Sequence, residues 1–303
     1  MKLSLIIATY NRAAWLTRAL ESVVQQSAER SAWECIVVNN NSTDDTCQQF
    51  ELFAAAHPGY NLRMVVEQKQ GLSNARNRGI AEATGNYIAI VDDDETLEDT
   101  FIESYIDFFD AFPHAMVAGG AVVPRYESGR PRWMSHYPER MIANPIDLDI
   151  AVCEFPSTRV PAGGNMAFRR EVFEQVGGFN PLLGRSGESL CGGEENDLFA
   201  RLKAQGHKFY FIPNAAIYHH IPDSKLTDEY FDKLSFNVGR SKYLRTELQD
   251  SEAVQRLLKA ERIKQIVTWG LAALYTLALQ PSKARYLLRM RRGIMLGIES
   301  AHK

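Results

Sequence analysis

Four short apolar runs, each followed by a helical pattern, constrain the fold of this chain more than any other feature. Leu3–Ala8 is almost wholly apolar, and Arg12–Gln26 then places Leu16, Ala19, Leu20, Val23 and Val24 on one helical face. Glu34–Val38 is the second run. The polar turn NNNSTDDT follows it, with Ser42 or Thr43 placed to cap a helix carrying Phe50, Leu52 and Phe53. Asn61–Val66 reads as a third strand, Ser73–Ala83 as a helix closed by Gly85, Tyr87–Val91 as a fourth strand, and Leu97–Phe109 as a further helix. Strand–helix alternation implies crossover connections and a mainly parallel sheet. Strands without polar alternation agree, because such sheets are covered on both faces.

In open parallel sheets, ligands sit beyond the carboxyl ends of the strands. Three polar clusters, Thr9–Arg12, Asn39–Ser42 and Asp92–Asp94, follow such ends and are expected to converge on one edge. The last cluster is the most demanding. YIAIVDDDET ends a buried strand on adjacent carboxylates, which repel one another and are costly to bury unpaired. Asp92 and Asp94 lie two apart on an extended segment and so point the same way. Two carboxylates on one side suit a hard divalent cation. The alternative is a solvated turn whose acids cap the next helix. In GGEENDL, the acids Glu194, Glu195 and Asp197 open a helix, as dipole effects alone favour. A carboxylate there would also serve as a base if it faced a cleft. The histidines of IYHH are surface residues or metal ligands.

The pattern loosens after Val123, and Pro124–Pro161 shows no clear elements. Beyond it, AGGNMAFRR reads as a strand, Glu171–Val176 as a short helix, and GRSGESLCGG (184–193) as a glycine-rich loop. Glu194–Gln205 is a helix, HKFYFIP a strand and AAIYHH a second one, and from Thr227 onward the chain is helical. Ile266–Leu279 contains fourteen residues without a charge. At about 1.5 Å per residue this covers roughly 21 Å, short of a ~30 Å hydrocarbon core. From Arg256 to Lys303 there are ten Lys/Arg against two acidic residues. Such a basic, apolar tail is suited to lie on an anionic membrane surface; the alternative is a helical hairpin packed on the domain with a solvated basic face.

Composition excludes several classes. With 45% apolar and 23% charged residues, the chain has material for a core and is not disordered. A net charge of −3 gives no nucleic-acid signal. Cys35, Cys47, Cys153 and Cys191 are scattered without a CxxC pair, which argues for a reducing, cytoplasmic setting. MKLSLIIATYNR reads as a first strand, since polar residues end its apolar run too early for a signal peptide.

The order of the segments is more informative than any one of them. SLIIATYNR, ECIVVNNNSTDDT, GLSNARNRGIAEATGNYIAIVDDDE, GGNMAFRREVFEQVGGFN and GEENDLFARLKAQGHKFYFIPNAAIYHH together resemble the family 2 glycosyltransferases, in unbroken order over residues 2–222. The resemblance implies an inverting, metal-dependent transferase with an A-type glycosyltransferase fold. That is an α/β class with a single Rossmann-like, mixed and mainly parallel sheet flanked by helices, plus a C-terminal helical extension. It implies a catalytic domain over 1–222, with a nucleotide-sugar half to about residue 120 and an acceptor half after it, and an extension over 223–303. Thr9, Asn11 and Arg12 would lie beside the nucleotide, as would Asn39, Asn41, Gly71 and Arg76. Asp92 and Asp94, with Asp93 between them, match the D-x-D signature that handles the ribose and a metal-bound diphosphate. His219 would complete the site of a Mn or Mg ion, and Glu195 matches the catalytic base. Two positions depart from the family pattern. Asn39 stands where aspartate is common, and an amide both donates and accepts, which leaves the base open. Glu195 stands where aspartate is usual; it is one methylene longer and still a competent base.

The reading that follows is transfer of a sugar from a nucleoside-diphosphate sugar to an acceptor hydroxyl, on a glycan or a lipid-linked acceptor, in surface polysaccharide or glycan assembly. A polyprenyl-phosphate sugar transferase and a non-catalytic nucleotide-sugar or glycan-binding protein are the rivals. A nucleotidyltransferase is disfavoured, because ATYNRAAWL lacks a glycine- and basic-rich loop for a triphosphate. The 184–193 loop is expected to act as a lid over the donor. Arg169 and Arg170 would face an anionic acceptor or form a solvated edge. The expected location is cytoplasmic, peripheral on the inner face of the cell membrane, with no nucleic-acid partner.

Overall fold

The computed structural model describes residues 1–187, 189–250 and 252–302. The chain divides into two compact units, one of Met1–Pro124, Pro145–Leu182 and Glu194–His220, the other of Arg125–Asn144, Leu183–Gly193 and Ile221–Lys303.

The first unit is built on strands β1 (Leu3–Thr9), β2 (Trp33–Asn39), β3 (Leu62–Val66) and β4 (Tyr87–Asp92). They pair in parallel in the spatial order β3-β2-β1-β4. Thr9 is level with Asn39, and Ala8 with Asp92, so the polar ends of β1, β2 and β4 share one edge. Leu5, Ile6 and Ile7 of β1 and Ile36, Val37 and Val38 of β2 are all fully buried, as a sheet covered on both faces requires. Helices α1 (Ala13–Val23), α2 (Thr46–Ala56) and α3 (Leu72–Glu82) make the crossovers, and α4 (Phe101–Ala111) follows β4. α1 buries Leu16, Ala19, Leu20 and Val23, the face its spacing predicts.

The second half of the sheet is antiparallel. It comprises β5 (Glu95–Leu97), β6 (Val117–Tyr126), β7 (Cys153–Glu154), β8 (Asn165–Arg169) and β9 (Phe209–Ile221), with α6 (Glu171–Val176) and α7 (Glu194–Ala204) between them. Its order continues β4-β8-β6-β9-β5, and β7 also pairs with β9. The sheet is therefore mixed, with a parallel half that carries the crossovers. β8 runs against β4, with Val91 opposite Asn165, which brings Gly163 and Gly164 to the edge where β4 ends.

Several local expectations are corrected. The helix expected from Leu97 starts at Phe101, because Glu95–Leu97 is recruited as a strand by β9. The two strands expected around Pro213 are one, β9, since proline's fixed φ fits extended backbone. Neither Ser42 nor Thr43 caps α2. Ser42 Oγ accepts from the Asn11 N–H at 2.9 Å, and Asp44 Oδ1 accepts from the Thr46 N–H at 3.1 Å. Arg169 and Arg170 form neither an acceptor patch nor a solvated edge. Arg169 donates to the carbonyls of Phe109, Phe112 and Ala115, at the end of α4, and Arg170 to those of Ala83 and Gly85 after α3. Orphan carbonyls at helix ends explain both.

The second unit contains α5 (His136–Ile142), α8 (Asp228–Gln249), α9 (Ala253–Leu277) and α10 (Pro281–His302). Phe231, Leu234, Leu287, Met290, Ile294 and Ile298 form its own apolar core. Trp133 stacks on Tyr286 with ring centroids 4.0 Å apart. Glu261 is fully buried and takes Arg291 at 2.5 Å, Lys264 at 2.7 Å and Lys242 at 3.4 Å, which ties α9 to α8 and α10. Among the described residues, no helix is long and apolar enough to cross a membrane. The lid expected at 184–193 includes Glu188, which lies outside the described residues. Its described neighbours Cys191 and Gly192 bond to Asn237 and Ser241 of α8.

Candidate active site

The edge shared by β1 and β4 accounts for how three aspartates can follow a buried strand. Arg12 Nη1 donates to Asp93 Oδ1 at 2.9 Å and to Asp94 Oδ2 at 3.0 Å, and Thr9 Oγ1 donates to Asp93 Oδ2 at 2.8 Å. Arg76 Nη2 donates to Asp92 Oδ1 at 2.8 Å. Two guanidiniums thus partition the triplet, with Asp92 going one way and Asp93 and Asp94 the other. Burial opposes the Arg12 charge, but Asp93 and Asp94 outweigh it and hold its pKa above the usual value. Asp93 is pushed up to about 6, chiefly by burial, with Arg12 opposing and Asp94 adding to the rise.

Glu95 joins this group, although the sequence reading did not single it out. One carboxylate oxygen each from Asp92, Asp94 and Glu95 lie within 4.8 Å of one another. Asp94 and Glu95 are buried, whereas the Asp92 side chain is 37% exposed. Glu95 Oε2 accepts the Asp92 N–H at 3.0 Å. Burial, reinforced by Asp92 and Asp94, raises its pKa well above the carboxylate range. A Cβ on Gly164 would lie 2.2 Å from Glu95 Oε1, so the second glycine of AGGN is what makes room for it. The signal in the sequence was the unbroken DDDE. His219 is opposite Glu95 in the β5–β9 register but stands outside this three-carboxylate group.

Arg76 is implied by the resemblance to lie near the nucleotide. Its side chain is 1% exposed and bonded within the protein. Besides Asp92, it reaches the Gly163 carbonyl at 2.9 Å and Glu194 Oε1 at 2.8 Å. It therefore ties the end of β4 to the first turn of α7. Glu194 is pushed up to about 8, by burial first and then by Glu195, with Arg76 opposing. Among the described residues, Arg76 Nε and Glu194 Oε2 are buried without a hydrogen-bond partner. Glu195 is the next residue along; its Oε1 accepts from Asn196 Nδ2 at 2.7 Å, and its Cγ lies beside Gly163.

The asparagines shape the floor of the edge. Asn11 and Asn41 both adopt left-handed backbone, with φ of 51° and 67°. Asn11 Oδ1 accepts the Thr43 N–H at 2.7 Å, and Asn39 Oδ1 accepts the Ser42 N–H at 2.9 Å while its Nδ2 donates to Cys47 Sγ. The Asn39 amide is thus occupied in holding its own loop. Asn40, which the sequence reading passed over, donates to the Glu67 and Lys69 carbonyls and accepts the Gly71 N–H at 2.8 Å. It fixes the turn that leads into α3 and so the base of Arg76.

A sequence profile described as glycosyl transferase family 2 matches residues 4–177. This chain belongs to that family. A second profile, described as the N-terminal domain of galactosyltransferase, matches residues 150–224 of the glycosyltransferase. The glucosyl-dolichyl phosphate glucuronosyltransferase of Haloferax volcanii is 26% identical over 256 residues, covering 80% of this chain and 76% of that protein. The succinoglycan biosynthesis protein ExoO of Rhizobium meliloti is 26% identical over 223 residues, covering 73% of this chain and 61% of that one. Several further relatives match only about a third of this chain and less than a third of their own length. Among solved structures, the mannosyltransferase PcManGT of Pyrobaculum calidifontis, in complex with GDP-Man and Mn²⁺, superposes with a TM-score of 0.64 at 18% identity. That match covers 97% of this chain and 87% of the other, and it establishes the shared A-type fold.

Proposed function

We propose that this glycosyltransferase moves a sugar from a nucleoside-diphosphate sugar to an acceptor hydroxyl with inversion, using Glu195 as base and a divalent cation held by Asp92 and Asp94. The observation that supports it best is the convergence of the Asp92, Asp94 and Glu95 carboxylates within 4.8 Å. The donor set fits the ion. All three donors are carboxylate oxygens, as Mg²⁺ and Mn²⁺ prefer. Arg12 pairs with Asp93 and Asp94 and Arg76 with Asp92, and a cation among the three donor oxygens would relieve the repulsion between them. His219 is the remaining candidate ligand from the opposite strand. When bound, the ion would supply Lewis-acid stabilisation of the charge that grows on the leaving diphosphate.

The chain's own groups would do the rest. Arg12 and Thr9 hold Asp93 and Asp94 against their mutual repulsion. Arg76 holds Asp92 and Glu194 at fixed separation, which sets the start of α7 and with it Glu195. Glu195 would take the proton from the attacking hydroxyl. A single base suffices for direct displacement with inversion. Thr9, Asn11, Arg12, Asn39, Asn41 and Gly71 would form the nucleotide side of the cleft, with Arg76 acting from beneath it. A lipid-linked acceptor is the second reading, favoured by the Haloferax volcanii relative named for glucosyl-dolichyl phosphate.

The test is turnover of UDP-, GDP- and dTDP-sugars with and without Mn²⁺, with the product anomer assigned by NMR. Glu195→Gln is expected to lose about 10²- to 10⁴-fold in kcat while donor affinity stays unchanged. Near-normal turnover in that variant would remove Glu195 from the role of base, and a product of retained configuration would remove the mechanism.

A further inference from the structure

The helices of the second unit bury one side of α9 and leave the other bare. Packing against α8 and α10 takes Val254, Glu261, Thr268 and Ala272, which recur at helical spacing on one face. On the opposite face, Ile263, Ile266, Val267, Trp269, Leu274 and Leu277 are each more than half exposed, with Leu277 at 80%. This stripe is about 21 Å long at ~1.5 Å per residue. The same face continues toward the start of the helix as Arg256, Lys259 and Arg262, all exposed. The only acid in α9 is Glu261, and it is buried beneath Arg291, Lys264 and Lys242. The bare face is therefore apolar for four turns and basic toward its start, where Arg256 pairs with Asp250 at 2.6 Å and Lys259 and Arg262 stand exposed beyond that pair.

We propose that this face of α9 is a docking surface for an anionic lipid bilayer, with the helix lying in the headgroup plane. A lipid surface offers both things the face calls for, an apolar layer for the stripe and anionic headgroups for its basic end. A second copy of the chain offers the apolar layer but, on this face, no anionic counterpart for the basic end. Parallel pairing of two such faces sets the basic residues against themselves, and antiparallel pairing of the stripes carries the basic ends past each other without an acidic counterpart on that face. Among the described residues no helix, α9 included, is long and apolar enough to cross a membrane. Trp269, exposed within the stripe, has the amphipathic ring that favours the interface.

Flotation of the full chain with vesicles tests the proposal independently of sugar transfer, because it reads partition and not turnover. Vesicles of phosphatidylcholine mixed with phosphatidylglycerol are expected to carry the protein upward, with release by high salt, while phosphatidylcholine alone carries far less. Each basic residue near such a surface is worth roughly fivefold, so Lys259→Gln with Arg262→Gln should weaken partition about 25-fold. Ile266→Ser with Leu274→Ser should weaken it by at least about tenfold, since each buried methylene counts roughly fourfold. These side chains are exposed, so the melting temperature of both double variants should match the parent. Protein left in the bottom fraction with the anionic vesicles overturns the proposal. So does equal partition of the variants, or a concentration-dependent dimer that Leu274→Ser dissolves in a chain that ignores vesicles.

Discussion

Glu95 is confined by a hydrogen atom. A side chain on Gly164 would place its Cβ 2.2 and 2.4 Å from the two Glu95 carboxylate oxygens, closer than any real contact. Gly163, its neighbour, faces ordinary contacts, since a Cβ there would lie 3.6 Å from both Arg76 Nη2 and Glu195 Cγ. Gly164→Ala must therefore displace the Glu95 carboxylate from its place beside Asp92 and Asp94, whereas Gly163→Ala should be accommodated. Overpacking of this kind costs about 1–3 kcal/mol. The expected outcome for Gly164→Ala is weaker Mn²⁺ binding in calorimetric titration and lower turnover, with Gly163→Ala close to the parent in both. Equal behaviour of the two variants would contradict the picture of Glu95 as part of the carboxylate group. At this scale, residue type and spacing already pointed to the triplet and to Glu194–Glu195. They could not reveal that Arg12 and Arg76 divide the triplet, or that Asn40 anchors the turn into α3. Asp92 lies 16 residues from Arg76 and Asp93 81 from Arg12, and only the folded sheet with its crossover helix brings them together.

Among the elements, the crossing of α8 and α10 is the tightest in the second unit. A Cβ on Gly239 would stand 2.0 Å from the Ile294 carbonyl oxygen, and one on Gly297 would stand 1.9 Å from that of Phe236. Both obstacles are backbone, so neither can rotate away. Gly239→Ala is expected to force the helices apart and open the core of Leu234, Met290 and Ile294, at a cost of at least about 1–3 kcal/mol. Gly270 of α9 meets nothing within 4 Å, so Gly270→Ala should instead stabilise by about 0.5–1 kcal/mol through helix propensity. Thermal unfolding followed by circular dichroism separates the two signs. The helices other than α5, which lies in the stretch after Pro124 that carries no clear pattern, are legible in the sequence from apolar spacing, as are β1 to β4, which are apolar and punctuated by turns. What escapes is any element defined by its partner. β5 is three residues long and exists because β9 pairs with it, and the helical packing in the tail depends on glycines that propensity alone marks as unfavourable.

The parallel half of the sheet is held at the end opposite the site by a polar clamp. Glu34, 2% exposed at the start of β2, accepts from Ser4 Oγ of β1 at 2.7 Å, from the Thr84 N–H at 2.8 Å and from Thr84 Oγ1 at 2.6 Å. Its other oxygen takes Arg63 Nε of β3 at 3.2 Å. One carboxylate thus joins three parallel strands and the turn before the fourth. Burial alone would raise its pKa, but the bonds from Thr84, Ser4 and Arg63 outweigh that and hold it below the usual carboxylate value. A folded-state pKa below the unfolded one, about 4.3 for glutamate, contributes stability that is complete above that pH. The contribution is lost as pH falls through the folded pKa. Glu34→Gln keeps the shape but turns an amide toward at least one set of donors, so at neutral pH it should cost about 1–3 kcal/mol. As pH falls from about 4.3 through the lowered folded-state pKa, the contribution of that charge in the parent fades, and the gap between the two proteins should narrow. Urea unfolding at neutral and acid pH measures that gap, and a deficit of equal size at both would show that the clamp acts through its shape alone, with no part played by its charge.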